Sequence, residues 1–191
     1  VPDAGYVQPE STVEGLGWGD LETHLKSQPN REGSRQAVFG TGVRDARLMV
    51  IGEAPGADED RMGEPFVGRA GKLLDQMLRA INHGRTPQEG QQGVYIANIC
   101  KFRPPNNRDP LPDEVKSDMP YLLRQIELVS PDLILAVGRV AAQNLLDSSE
   151  SLGRLRTREH QFAGIPLMIT YHPAYLLRSP REKAKAWEDL R

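Results

Sequence analysis

A chain of 191 residues, 38% hydrophobic and 26% charged, can bury one sizeable core, and none of its apolar runs approaches the roughly 18 to 20 residues of a membrane-spanning helix. Its formal charge of -2 excludes an all-over basic coat that would hold nucleic acid by charge alone, though a local basic face is still allowed. The single cysteine, Cys100, excludes an internal disulfide and fits a reducing, cytoplasmic setting.

Residues 1–19 show no periodicity and read as a flexible tail, which places the domain at 20–191. Asp20 is placed to cap a short helix over 21–26, which Pro29, Asn30 and Gly33 then break. Leu48, Met49, Val50 and Ile51 form a brief, partly β-branched run stopped by Gly52, the pattern of a buried strand. The fifteen residues 53–67 that follow carry Glu53, Asp58, Glu59, Asp60, Glu64 and one aromatic, Phe66; so long a loop is uncommon in a compact domain unless it acts. A helix is predicted over 68–82, with Leu73, Leu74, Met77, Leu78 and Ile81 on one face.

A second strand is predicted over 94–98, then a proline-rich loop over 101–112 and a helix over 112–129 that opens with Pro112, Asp113 and Glu114. A third strand at 133–137 is closed by Gly138 and followed by a helix over 139–146. A fourth at 165–170 leads through a loop, 171–180, into a charged helix over 181–190. Strand and helix alternate four times, which predicts the α/β class: a three-layer α/β/α sandwich around a central, mainly parallel four-stranded sheet. Such sheets bind ligands beyond the carboxyl ends of their strands, so Glu53, Asn98, Gly138 and His172 are expected around one cleft.

The residue types there admit more than one reading. Phe66 is either core or a stacking platform for a nucleobase. Asn98 either ties a turn or uses its amide, both donor and acceptor, to read a base edge. Gly68 to Gly71 lacks the spacing and hydroxyl of a phosphate-binding loop, but opens a helix whose free N–H groups can meet a phosphate.

In order along the chain, GEAPGADEDRMGEPFVGRAGKLLD, YIAN, KFRPPNNRDPLPDE, LILAVGRVAAQ and YHPAYLLRSP resemble the motifs of the uracil-DNA glycosylase superfamily, in particular its fourth, thermostable-type family. The resemblance runs from about residue 20 to the last residue. It implies hydrolysis of the N-glycosidic bond of uracil in DNA, with uracil-containing DNA as partner and an abasic site and free uracil as products. It implies that Phe66 stacks on the flipped base and that Asn98 bonds its imide edge. Glu53 or Glu59 positions water and stabilises the cationic sugar, and His172 donates to uracil O2 as charge builds there. By the same resemblance Leu176 wedges into the vacated stack with Tyr175 beside it, Arg178 meets a phosphate or the minor groove, and Gly68, Arg69 and Gly71 lie along the DNA backbone.

Two departures qualify it. Ala54 stands where the best-known glycosylases carry an aspartate, as it does in the fourth family. The family's four-iron, four-sulfur cluster needs four cysteines, and motif alignment puts their positions at or near Leu25, Gln28, Phe102 and Asp118, none of them cysteine. The expectation is therefore no metal and no cofactor, with Phe102 and its neighbours packing apolar side chains into that volume. The reading is a monofunctional uracil-DNA glycosylase acting as a monomer without a membrane. The alternatives are an enzyme of broader specificity for deaminated bases and a DNA-binding homologue that has lost catalysis.

Overall fold

The structure is a computed structural model, and residues 12–191 are described; most of the expected tail, residues 1–11, lies outside them. In chain order the elements are α1 (Trp18–Lys26), β1 (Thr41–Gly42), β2 (Leu48–Gly52), α2 (Ala57–Met62), α3 (Arg69–Ala80), β3 (His83–Gly84) and β4 (Gln92–Asn98). They continue with α4 (Pro112–Val129), β5 (Leu133–Val137), α5 (Arg139–Leu146), α6 (Leu152–Leu155), β6 (His160–Phe162), β7 (Ile165–Thr170), α7 (Pro173–Arg178) and α8 (Lys183–Asp189).

The four strands read from the sequence are β4, β2, β5 and β7, side by side and parallel in that order. The sheet is wider than expected. Two-residue β1 adds antiparallel to β4, β6 adds antiparallel to β7, and β3 pairs with the start of β4, giving seven strands in place of four. These pieces are two or three residues long, too short to leave a periodic signal in the sequence.

Side chains of a strand point alternately to its two faces, and β2 shows what each face covers. Met49 and Ile51 enter a cluster with Leu122 and Ile126 of α4 and Ala141 and Leu145 of α5. Leu48 and Val50 enter another with Leu74 and Leu78 of α3. Helices thus lie on both faces of the sheet, and burying a leucine such as Leu78 contributes about 1.5–3 kcal/mol.

The domain also begins earlier than residue 20. Val13, Leu21, Leu25, Phe39, Phe102 and Tyr121 form a third cluster, with Leu16 and Trp18 against it. Trp18 meets the Phe39 ring edge-on at 6.1 Å, so it is held by packing as the first residue of α1.

Two stretches expected to be loops are helical. Within 53–67, α2 forms with its first turn closed by Glu59, whose Oε2 accepts from the N–H of Gly56 at 3.1 Å. Within 171–180, α7 forms because Pro173 occupies the first helical position and His172 caps it, Nδ1 accepting from the Ala174 N–H at 3.0 Å.

Candidate active site

The carboxyl ends of β2, β4, β5 and β7 open on a cavity of about 730 Å³, lined by Glu53, Phe66, Asn98, Gly138, His172 and Arg178 among others. Residues more than a hundred positions apart are brought together by the parallel order of the strands.

Asn98, the last residue of β4, is 2% exposed, and its Nδ2 has no hydrogen-bond partner among the described residues. A buried amide donor without a partner costs about 1–3 kcal/mol, so a native fold rarely keeps one unless an ordered water or a ligand completes it. Phe66 is 6% exposed and borders the same cavity, joining the α3 cluster with one side and the cleft with the other, so both readings of it apply. Its ring lies 5.6 Å from the His172 ring at 30°. The Phe66 backbone has φ 55°, a conformation that costs a non-glycine residue about 1–3 kcal/mol and needs outside support.

Three neighbours give that support. A Cβ on Gly52 would come within 2.6 Å of the Phe66 ring and would overlap Asn98 Oδ1, and a Cβ on Gly71 would overlap the Phe66 carbonyl. Arg85, which the sequence reading did not single out, donates to the Phe66 carbonyl at 2.8 Å and the Pro65 carbonyl at 2.7 Å while its Nε bonds Asp75 at 2.9 Å. Gly71 is buried at this contact, so the expectation that it meets DNA is corrected: it is there to let α3 approach the Phe66 backbone. Gly68 caps α3 and spends its N–H on Glu59, whereas Arg69 is exposed beside it.

The two glutamates take different parts. Glu59 Oε1 accepts from the N–H groups of Val67 at 3.0 Å and Gly68 at 3.2 Å, and its other oxygen caps α2. With three backbone donors on it, Glu59 is the clamp of the loop rather than a free base, which corrects its expected catalytic part. Glu53 has no such donors. Its partial burial, reinforced by the negative charge of Asp109 and opposed by Arg139, pushes its carboxyl up to about 7. Asp109 and Arg139 face each other across the cleft at 3.0 Å, a second pair the sequence reading missed because they lie thirty residues apart.

His172 is neutral and oriented. Burial, with the positive charge of Arg178, lowers its pKa to about 4, against a smaller opposing pull from Glu59. Since Nδ1 accepts from Ala174, the ring hydrogen sits on Nε2 and is available for donation. On α7, Leu176 is 1% exposed, so it is not the outward wedge expected of it; helical geometry turns it onto the protein and leaves Tyr175 (38%) and Leu177 (36%) outside. Tyr175 and Arg178 do line the cavity.

Behind Asn98 lies Lys101, completely buried. Its Nζ donates to the Asn98 carbonyl at 2.8 Å and to Gln125 Oε1 at 2.6 Å, and burial pulls its pKa down to about 7, against the raising influence of Asp118 and Cys100. The same burial, ahead of the nearby Asp118 charge, pushes the Cys100 thiol up, which keeps it protonated and unreactive.

The fold and this cleft describe an α/β protein with a cavity beyond the carboxyl ends of its sheet, bordered by an aromatic ring, an unpartnered amide donor, a carboxyl and a neutral imidazole. The profile of the Uracil DNA glycosylase superfamily matches residues 39–191, and the chain belongs to that family. A type-4 uracil-DNA glycosylase of Archaeoglobus fulgidus is 42% identical over 162 residues, covering 81% of this chain and 78% of that protein. One of Pyrobaculum aerophilum is 40% identical over 164 residues (82% and 81%), and one of Thermotoga maritima 42% over 144 (74% and 72%).

The cluster that the resemblance implies does not fit the residues present. At the four positions, Leu25 and Phe102 pack in the third core cluster and Gln28 Nε2 bonds the His24 carbonyl at 3.2 Å. Asp118 is ion-paired with Arg31 and also accepts the Lys101 N–H at 2.6 Å, and the Arg31 guanidinium lies 4.7 Å over the Phe102 ring. The volume expected to be apolar is therefore half apolar and half a buried ion pair. No side chain there is a thiolate, and one cysteine cannot supply four.

Proposed function

We propose that the protein is a DNA repair glycosylase that hydrolyses the N-glycosidic bond of uracil in DNA and releases free uracil from an abasic site. The observation that carries this is the unpartnered Nδ2 of Asn98, a donor set at the base of a cleft walled by Phe66. Uracil presents O4 as an acceptor next to N3–H, matching the amide's donor and acceptor; cytosine presents a donor at position 4 and meets the amide donor head-on.

A base inside a duplex is out of reach, so the nucleotide is flipped into the cleft, at a cost of a few kcal/mol. Phe66 stacks on its face. As the glycosidic bond breaks, negative charge gathers on the uracil, and the neutral His172 donates from Nε2 to O2. A neutral donor suits this better than a strongly acidic imidazolium, which would surrender its proton. Glu53 faces the sugar: as the carboxylate it orients water and balances the cationic sugar. Tyr175 and Arg178, which line the cleft, and the exposed Arg69 and Leu177 next to lining residues in sequence are the DNA contacts, with Leu177 taking the wedging part first expected of Leu176. All these groups come from one chain, and the reading is of a monomer acting on DNA in the cytoplasm. Among the described residues no helix is long and apolar enough to cross a membrane.

The test is an end-labelled oligonucleotide carrying one uracil, single-stranded or opposite G or A, treated with protein and then alkali. Strand cleavage at uracil is the expected result. Binding without cleavage would sink this reading and favour the lapsed homologue, and cleavage at hypoxanthine or xanthine would favour the broader enzyme.

A further inference from the structure

Tyr171 and Tyr175 stand one behind the other at the rim of the cleft, ring centroids 5.4 Å apart and planes 20° apart. The Arg156 guanidinium lies over the Tyr171 ring at 5.1 Å. Arg156 is itself fixed: it pairs with Asp189 through two bonds, at 2.6 and 3.0 Å, and donates to the Lys185 carbonyl at 3.0 Å. Asp189 also accepts from the Thr170 hydroxyl at 2.8 Å. The inner end of this pile of planar groups is therefore rooted in buried polar contacts. Its outer member, Tyr175, borders the same cavity as Phe66 and Asn98 and is 38% exposed.

We propose that the outer face of Tyr175 is a second nucleobase site, which takes the base neighbouring the flipped uracil when that base is unpaired. The inference rests on the uracil-excision reading. A ring already held in its plane loses little freedom when another ring stacks on it, and stacking is indifferent to base identity because every base has a π-face. The occupant must also carry a phosphate within reach of a cation. Arg178, one turn further along α7, lines the cavity and has no ion-pair partner among the described residues. A duplex keeps the neighbouring base paired and stacked in its own helix, whereas a single strand leaves it free to move onto Tyr175.

The experiment uses oligonucleotides with 2-aminopurine immediately 5′ or 3′ of a 2′-fluorinated deoxyuridine, whose sugar resists cleavage, and the full chain as wild type, Tyr175→Leu and Tyr175→Phe. In the single strand, one of the two placements is expected to lose fluorescence on binding to the wild type and to Tyr175→Phe but not to Tyr175→Leu. With ordinary uracil, the single-strand to duplex ratio of kcat/KM falls about tenfold in Tyr175→Leu and is retained in Tyr175→Phe. Equal loss on both substrates, or quenching that survives Tyr175→Leu, would overturn the proposal. A wild type that quenches yet cuts neither substrate would overturn the uracil reading and leave this site standing.

Discussion

β4 runs out between two buried polar regions that treat their hydrogen-bonding groups in opposite ways. At Asn98 the amide donor is left open toward the cleft, and the carboxyl of Glu53 is held away from its ordinary charge state. Beside it, around Lys101 and Asp118, each acceptor has found its donor: Arg31 and the Lys101 N–H share the carboxylate, and the Lys101 ammonium meets Asn98 and Gln125. The first region gives up stability to keep a partner's place, and the second spends the same kind of groups on holding the fold. Activity and stability should therefore separate when each is mutated.

The largest separation is expected at Asn98. Asn98→Ala removes a donor that has no partner in the free protein, so uracil excision should fall about 1,000-fold while thermal unfolding hardly moves. A comparable loss of DNA affinity, seen by fluorescence anisotropy, would contradict base reading by this side chain. Asp118→Ala should do the reverse. It strands the Arg31 guanidinium and a backbone N–H, and chemical denaturation should register a loss of about 3 kcal/mol with excision per folded molecule unchanged.

The smallest effect sits on the charge state of Glu53. With its pKa near 7, kcat/KM should rise with pH through about 7 as the carboxylate forms. His172, near 4, adds no limb there. Asp109 holds the Glu53 pKa up, so Asp109→Asn moves the limb to lower pH; Arg139 holds it down, so Arg139→Gln moves it to higher pH. A limb unmoved by both variants would assign it to another group. Stability runs the opposite way: because the folded-state pKa lies above that of an unfolded glutamate, the contribution is full below about 4.5 and is lost as pH rises through about 7.

The parallel core was legible because β2, β5 and β7 are short, largely apolar runs, and the amphipathic period of α3 gave its inner face. What escaped depends on contacts distant in sequence. Arg85 reads as a surface arginine in a Gly/Gln/Pro-rich connection, yet it clamps the loop that carries Phe66. Glu59 and Glu53 are equivalent as acidic residues in one motif; only the three N–H groups converging on Glu59 tell clamp from candidate base. The family motif pointed to Leu176, but the direction of each side chain is fixed by α7, a helix disguised by its opening His-Pro. Trp18 and Val13 looked like tail because the partners that bury them come from later segments.

The contact of Gly52 and Gly71 with Phe66 also constrains how such a pocket can drift over generations. Neither glycine can gain even a methyl group while the phenyl ring and its carbonyl stand where they do. A smaller residue at 66 would relieve only the ring contact of Gly52, leaving its overlap with Asn98 Oδ1 and that of Gly71 with the backbone carbonyl of residue 66, and would remove the wall on which the base lies. Both glycines are thus held by backbone and by Asn98 whatever stands at 66, and a change at 66 itself forfeits the function that selection maintains. In a lineage under selection for excision, this trio should be among the slowest parts of the sequence to vary.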